Sequence, residues 1–227
     1  MQGLDLAGKR VLLTQAQDFM GPALADVFTE LGAEVIGDNG PIADATYPAD
    51  LIARVGHVDV LLANLGIPAP TTPVQAADDD EWRHTFAQMV DPLPRLVRAL
   101  LPQMLERGSG KVIVIGSASA LRGIRRASTY SAARGAQLAY VQAAGVELAG
   151  KGVQMNAIAQ NFVDNPTYFP PDVQANPAFQ DRLRREVPLG RLVSAREDAM
   201  FAAYLASPHA DCFVGQVFPV CGGWVAR

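Results

Sequence analysis

A hydroxyl, a phenol and a guanidinium stand in a fixed order near the middle of the chain, at Ser117, Tyr130 and Arg134. Ser117 closes the apolar run that begins at Lys111, and Tyr130 follows thirteen residues later (130 − 117) at the start of a helical pattern. Arg134 lies four residues beyond the tyrosine, so the two share one helix face. A free tyrosine has a pKa near about 10, too high for a base at neutral pH. A guanidinium ~4 Å from a phenolate at an effective dielectric of ~20 supplies roughly 4 kcal/mol toward holding that charge, and arginine never loses its own. Arg134 is the cation that the spacing offers for lowering the phenol's pKa. Taken singly, the three would be a strand-end hydroxyl, a helix-start aromatic and a solvated charge; the combination is what suggests a site.

The segments around them alternate between short apolar runs and helical patterns, the signature of parallel βαβ units. Arg10–Thr14, Glu34–Ile36, Val58–Ala63, Lys111–Ile115, Val153–Ile158 and Val217–Val220 read as strands. Helices are expected over Gly21–Leu31 with Gly32 as the stop, Glu81–Glu106 with interruptions near Pro92 and Pro94, Tyr130–Leu148, and Ala195–Ala206. The stretch Asn161–Pro188 differs: five prolines lie among aromatics after a strand's C-terminal end. That edge of an open α/β sheet is where ligands bind, so residues 160–188 are expected to form a lid. With no internal repeat and no linker, residues 1–227 read as one domain, a Rossmann-like doubly wound parallel α/β sheet.

Composition narrows the function. The 227 residues carry a net charge of −4 with both signs mixed along the chain, without the basic stripe of a nucleic-acid binder. No apolar run reaches the roughly 18 residues of a membrane helix, and MQGLDLAGKRVLL has no signal-peptide pattern. His57, His84 and His209 form no zinc motif, and Cys212 and Cys221 lack metal-ligand spacing. No metal is expected, and both cysteines are expected as free core thiols in a reducing cytoplasm.

Four segments resemble the short-chain dehydrogenase/reductase family: the opening strand-turn-helix, Ala63-Asn64-Leu65-Gly66, the Ser117/Tyr130 pair, and Gly215-Gln216 with Gly222-Gly223. The resemblance implies that Ser117 binds the reacting oxygen and Tyr130 exchanges its proton. Several positions depart from that family. A dinucleotide-binding turn needs glycines so that backbone approaches the pyrophosphate. Here Gln15 and Phe19 hold two of the three glycine positions, only Gly21 remains, and Asp18 would repel phosphate. Twenty residues (38 to 57) separate the second strand from Val58. Two crossovers of at least about 10–12 residues each do not fit there, so one crossover helix is expected to be missing. Asp38 sits where a ribose-binding acid would be. Arg134 replaces the family's lysine, Met89 its helix asparagine, and Gln160-Asn161-Phe162-Val163 stands where oxidoreductases carry Pro-Gly.

Ser117, Tyr130 and Arg134, an aromatic in the glycine turn, and an Asn-aromatic-aliphatic segment before a Pro/aromatic lid together resemble the halohydrin dehalogenases, which share this fold without using nicotinamide. That resemblance implies a catalytic triad of Ser117, Tyr130 and Arg134, no cofactor, and conversion of vicinal haloalcohols to epoxides with reversible opening by small anions. It also implies a halide and substrate pocket at Phe19, Asn161, Phe162 and Val163, with backbone amides and aromatic edges holding the anion, and a homotetramer using the Glu81–Glu106 and Tyr130–Leu148 helices. The expected partners are a halohydrin or epoxide and a halide ion, with no nucleic acid and no membrane. Gln160, where some members carry proline, and the end of the chain at Arg227, soon after Trp224, leave the pocket's shape and any cross-subunit lid contact open. The competing readings are an NAD(P)-dependent short-chain oxidoreductase with a poor glycine turn, and a non-catalytic scaffold or sensor.

Overall fold

The computed structural model describes residues 4–225; Met1–Gly3 of the N-terminal segment, and Ala226 and Arg227, lie outside them. Six parallel strands form one sheet in the order β2-β1-β3-β4-β5-β6: β1 Arg10–Thr14, β2 Glu34–Asp38, β3 Val60–Asn64, β4 Gly110–Ser117, β5 Val153–Gln160 and β6 Val217–Val220. β3 is buried at every position, as expected of a strand covered on both faces. One layer of the core packs strand residues such as Leu12, Leu61 and Val112 with α2 (Tyr47–Val55), α4 (Pro92–Arg107) and α5 (Ser128–Ala149). The other packs Leu13, Leu62 and Ile113 with α1 (Gly21–Glu30) and α8 (Ala195–Ala206).

Local chemistry sets the element ends. Asp78 accepts hydrogen bonds from Asp80 N and Glu81 N to start α3 (Asp79–Met89), whose first turn is acidic. The expected Glu81–Glu106 helix is two helices: α3 stops at Met89, and Pro92 begins α4, where its missing N–H is no loss. Gly108, at φ +62°, ends α4. Ser194 and Glu197 form a reciprocal cap on α8. Between β2 and β3 there is a single helix, α2, so the short connection carries one crossover, as its length requires. The Pro-rich segment is partly helical, with α6 (Pro171–Ala175) and α7 (Pro177–Glu186).

Of the small residues on α5, Gly145 serves packing on the sheet side: a Cβ there would meet Gly215 Cα at 2.5 Å. The cysteine expectation needs correction at one position. Cys221 is buried, but Cys212 is exposed, in the turn that leads toward β6 rather than in either core layer. No described helix is long and apolar enough to cross a membrane, and no cluster of potential metal ligands occurs among the described residues.

Candidate active site

Parallel strands deliver their C-terminal ends to one edge of the sheet, and β1, β3, β4 and β5 there frame a cavity of about 250 Å³. Ser117, Tyr130 and Arg134 line it together with Phe19, Asn161, Phe162 and Val163. All seven residues named from the sequence therefore face one space.

Tyr130 and Arg134 occupy successive turns of α5. Arg134 Nε donates to the Tyr130 hydroxyl at 3.0 Å. Arg134 is 5% exposed, and its guanidinium is held by the carbonyls of Leu65 (2.9 Å) and Ile115 (3.0 Å) and by Gln137 Oε1 (3.0 Å). No carboxylate pairs with it among the described residues, so its charge remains available to an anion formed beside it. Gln137 also donates to the Met89 carbonyl at 2.6 Å, tying the end of α3 to the guanidinium. Met89 itself is fully buried against Ala127, Tyr130 and Ala133, so an apolar side chain backs the phenol. Ser117 ends β4, and its oxygen accepts from Ser119 N at 3.2 Å. Its strand-end capping role is thus real, and it leaves the hydroxyl hydrogen free to donate into the cavity.

The opposite wall comes from the turn after β1 and the loop after β5. Gln15, Phe19 and Phe162 have φ of +46°, +52° and +51°, a region in which non-glycine residues are strained. The glycine-like backbone of the first turn is kept while side chains have been added to it. Gln15 brackets Gly66 from both sides, donating to its carbonyl at 3.0 Å and accepting from its amide at 2.7 Å. Asn64 Nδ2 donates to the carbonyls of Gln15 (2.9 Å) and Asp18 (3.0 Å). A Cβ on Gly66 would lie 3.0 Å from Arg134 Nη2 and 3.4 Å from Phe19 Cε2, so the glycine lets the chain pass between the guanidinium and the Phe19 ring. Gly21 has to be glycine, since a Cβ would sit 2.5 Å from Ala16 and Gln15 backbone atoms. Asp38, at the ribose-acid position, accepts from Tyr47 Oη at 2.6 Å and from Gly40 N at 3.3 Å, with Arg54 3.6 Å away. The bond to Asp38, with burial, pushes the Tyr47 phenol up from its usual value. At the positions where a dinucleotide-binding turn carries two of its glycines stand Gln15, which bridges Gly66, and Phe19, and the acid at the end of β2, Asp38, is bonded to Tyr47.

The loop after β5 places the proposed anion contacts differently from the expectation. Asn161 N donates to Val220 O at 3.1 Å, and Phe162 N donates to the Asn161 side chain at 3.0 Å. Neither amide is free. Val163 N–H makes no hydrogen bond to another described residue, although Val163 is 2% exposed. A buried amide without a partner invites a bound anion or water. Phe162 acts as a wall, stacked on Phe169, edge-on to Trp224 and beneath the Arg182 guanidinium at 5.4 Å.

Four residues here escaped sequence reasoning. Tyr168 sits with its hydroxyl 3.3 Å from that of Tyr130, and Arg182 of α7 lines the cavity. Gln137 fixes Arg134 from one helical turn away, a spacing that a chemical reading of α5 could have used. Asp198 of α8 is fully buried and accepts from Gln160 Nε2, and its other oxygen has no partner. Burial pushes its carboxyl up to about 7, against the bond from Gln160.

The chain matches the family described as enoyl-(acyl carrier protein) reductase over residues 2–225. It is 33% identical to a putative ketoacyl reductase of Streptomyces coelicolor (strain ATCC BAA-471 / A3(2) / M145), over 77% of this chain and 70% of that one. Identity to the 3-oxoacyl-[acyl-carrier-protein] reductase FabG of Vibrio cholerae serotype O1 (strain ATCC 39315 / El Tor Inaba N16961) is 28%, over 97% and 98%. Among solved structures, a dehalogenation enzyme superposes with a TM-score of 0.90 at 28% identity, covering 97% of this chain and 99% of that one. A gluconate 5-dehydrogenase from Burkholderia cenocepacia J2315 in complex with NADP and tartrate gives 0.89 at 25%, over 99% and 98%. Halohydrin dehalogenase HheC bound to ethyl (2S)-oxiran-2-ylacetate gives 0.89 at 27%, over 96% and 99%. With the family match spanning almost its whole length, the chain belongs to the short-chain dehydrogenase/reductase superfamily.

Proposed function

We propose that the protein is a cofactor-independent halohydrin dehalogenase, a lyase that converts vicinal haloalcohols to epoxide and halide and opens epoxides with small anions in reverse. The observation that carries this reading is the Phe19 ring, on a first-turn position where a dinucleotide-binding turn needs glycine, lining the same cavity as Tyr130 and Arg134. The remaining cavity of about 250 Å³ lies below the ~300–1,000 Å³ of pockets for drug-sized ligands, a volume suited to a few-carbon substrate.

In this scheme Ser117 donates to the substrate oxygen and Tyr130, as phenolate, takes its proton. Arg134 holds the negative charge on Tyr130 until that transfer. The alkoxide oxygen then forms a bond to the neighbouring carbon, whose carbon–halogen bond breaks with the electron pair leaving on the halide. The halide departs opposite the attacking oxygen, toward the wall formed by Phe19 and the unpaired Val163 amide, where a positive ring edge and an N–H suit an anion. The test is halide release from a vicinal bromo-alcohol without nucleotide, paired with a bromide soak and anomalous diffraction. Release together with a bromide peak against Val163 N or Phe19 is expected. Neither release nor a peak would overturn the reading.

The second reading is an NAD(P)-dependent reductase, favoured by the 33% and 28% identity to ketoacyl reductases. Calorimetric titration with NADH and NADPH separates the two: saturable binding supports the reductase. A non-catalytic scaffold would give no need for the Ser117–Tyr130–Arg134 grouping.

A further inference from the structure

Tyr130 is met by a second phenol from the lid. Tyr168 Oη lies 2.7 Å from the Ile67 carbonyl and 3.3 Å from Tyr130 Oη. A carbonyl can only accept, so the single Tyr168 hydrogen goes to Ile67 and the Tyr168 oxygen must accept from Tyr130. The neutral site is therefore a directed chain: Arg134 Nε to Tyr130, Tyr130 to Tyr168, Tyr168 to Ile67. The chain ends on a carbonyl, which takes no proton, so it is no exit to solvent.

Loss of the Tyr130 proton leaves two oxygens 3.3 Å apart with nothing between them. Rotation of the Tyr168 hydrogen from Ile67 to Tyr130 replaces a neutral bond with a charge-assisted one, roughly twice as strong. We propose that Tyr168 is a positioning residue for Tyr130, accepting from its hydroxyl in the neutral state and donating to its oxygen once the proton has left. This rests on Tyr130 being the base of the reaction proposed above. Burial, followed by the charge on Tyr130, pushes the Tyr168 phenol up, which favours Tyr168 keeping its hydrogen. Two contacts fix the Tyr168 ring in place. Tyr168 N donates to Asn165 Oδ1 at 2.9 Å, and the ring lies 5.7 Å from that of Phe19. The other charged groups lining the cavity are Arg134 on α5 and Arg182 on α7, while the α3 residues packed around the Tyr130 ring, Phe86 and Met89, are apolar.

The experiment is a phenolate absorbance titration of the full chain, with Tyr130→Phe as the blank that isolates the Tyr130 step. Tyr168→Phe keeps the ring against Phe19, and a near-native melting temperature verifies its fold. Its Tyr130 step should move up by about one pH unit, equivalent to roughly tenfold in the ionisation constant. The acid limb of halide release should move with it while KM changes little. Thr167→Val removes a hydrogen bond between the lid and the first turn, in which Phe19 N donates to Thr167 Oγ1 at 3.3 Å, yet keeps the Tyr168 hydroxyl, and should leave the step in place. An unmoved step in Tyr168→Phe, an equal shift in Thr167→Val, or no Tyr130-dependent step in the wild type would each overturn the proposal. The titration uses no substrate, so it decides the role of Tyr168 even if no bromo-alcohol is turned over.

Discussion

Arg134 reaches Tyr130 through Nε and the Leu65 and Ile115 carbonyls and Gln137 through Nη1, and lysine, with its donors on one nitrogen and no planar fork, cannot reproduce that set. Arg134→Lys should keep the charge near Tyr130 but lose its aim, lowering kcat for halide release more than it raises KM. Tyr130→Phe should cost ~10²–10⁴-fold or more in halide release, the usual contribution of a positioned general base, with little change in melting temperature. Asp198 gives a prediction of stability with pH. Its folded carboxyl is held up at about 7 against an ordinary value of 3.8, so between those values the native state binds more protons than the unfolded one. Stability should therefore fall as pH rises from about 4 to about 7 and level off above that, by about 4 kcal/mol at most. Asp198→Asn should flatten this part of the melting-temperature profile and be the more stable protein at pH 8. The spacing of Ser117, Tyr130 and Arg134 was legible because helix periodicity alone brings Tyr130 and Arg134 together. Tyr168 was not, because its contact with Tyr130 spans 38 residues and depends on how the lid folds back. The occupied amides of Asn161 and Phe162 were equally hidden, since an Asn side chain bonding the next residue's N–H leaves no mark in composition.

The elements that shape the cavity divide into a rigid sheet edge and a lid held by rings. Phe162 stacks on Phe169 at 6.0 Å, and Phe169 meets Phe179 of α7 at 5.4 Å. Phe169→Ala should remove the middle of this series at a cost of ~1–3 kcal/mol, below the ~3–5 of a fully buried phenylalanine. Hydrogen exchange should then speed up across residues 164–186 but not in β4 or α5, and KM for the haloalcohol should rise. The parallel strand order and the missing crossover could be read from chain length, because a crossover has a minimum length that twenty residues cannot satisfy twice. The break between α3 and α4 was half legible: the prolines marked it, but Pro92 serves as a helix start and Pro102 is carried inside α4. The short helices α6 and α7 were masked by a proline density that reads as irregular chain.

For the whole molecule, the substituted first turn and the helical surface make separate predictions. Gln15→Gly combined with Phe19→Gly should not restore NADH or NADPH binding in a calorimetric titration, because Asp38 remains bonded to Tyr47 and only α2 stands between β2 and β3. Assembly is the second case. Ala139, Ala143 and Val146 lie exposed along α5, and Trp82 on α3 is 47% exposed while stacked on Phe86. The proposed homotetramer would cover these faces. Light scattering at micromolar concentration should give four chains, and Val146→Asp should lower that mass. A monomeric wild type would overturn the assembly.

The left-handed backbone at Gln15, Phe19 and Phe162 has a consequence for selection. Each such residue costs about 1–3 kcal/mol that a glycine would avoid, and all three line or brace one cavity. Natural proteins sit close to their stability threshold, and stabilising changes at strained sites are easy to find. A library selected for heat resistance alone should therefore accumulate glycine or asparagine at positions 15, 19 and 162. A library screened for turnover as well should keep the side chains there. Where the two lineages diverge would mark which strained positions evolution has held for chemistry.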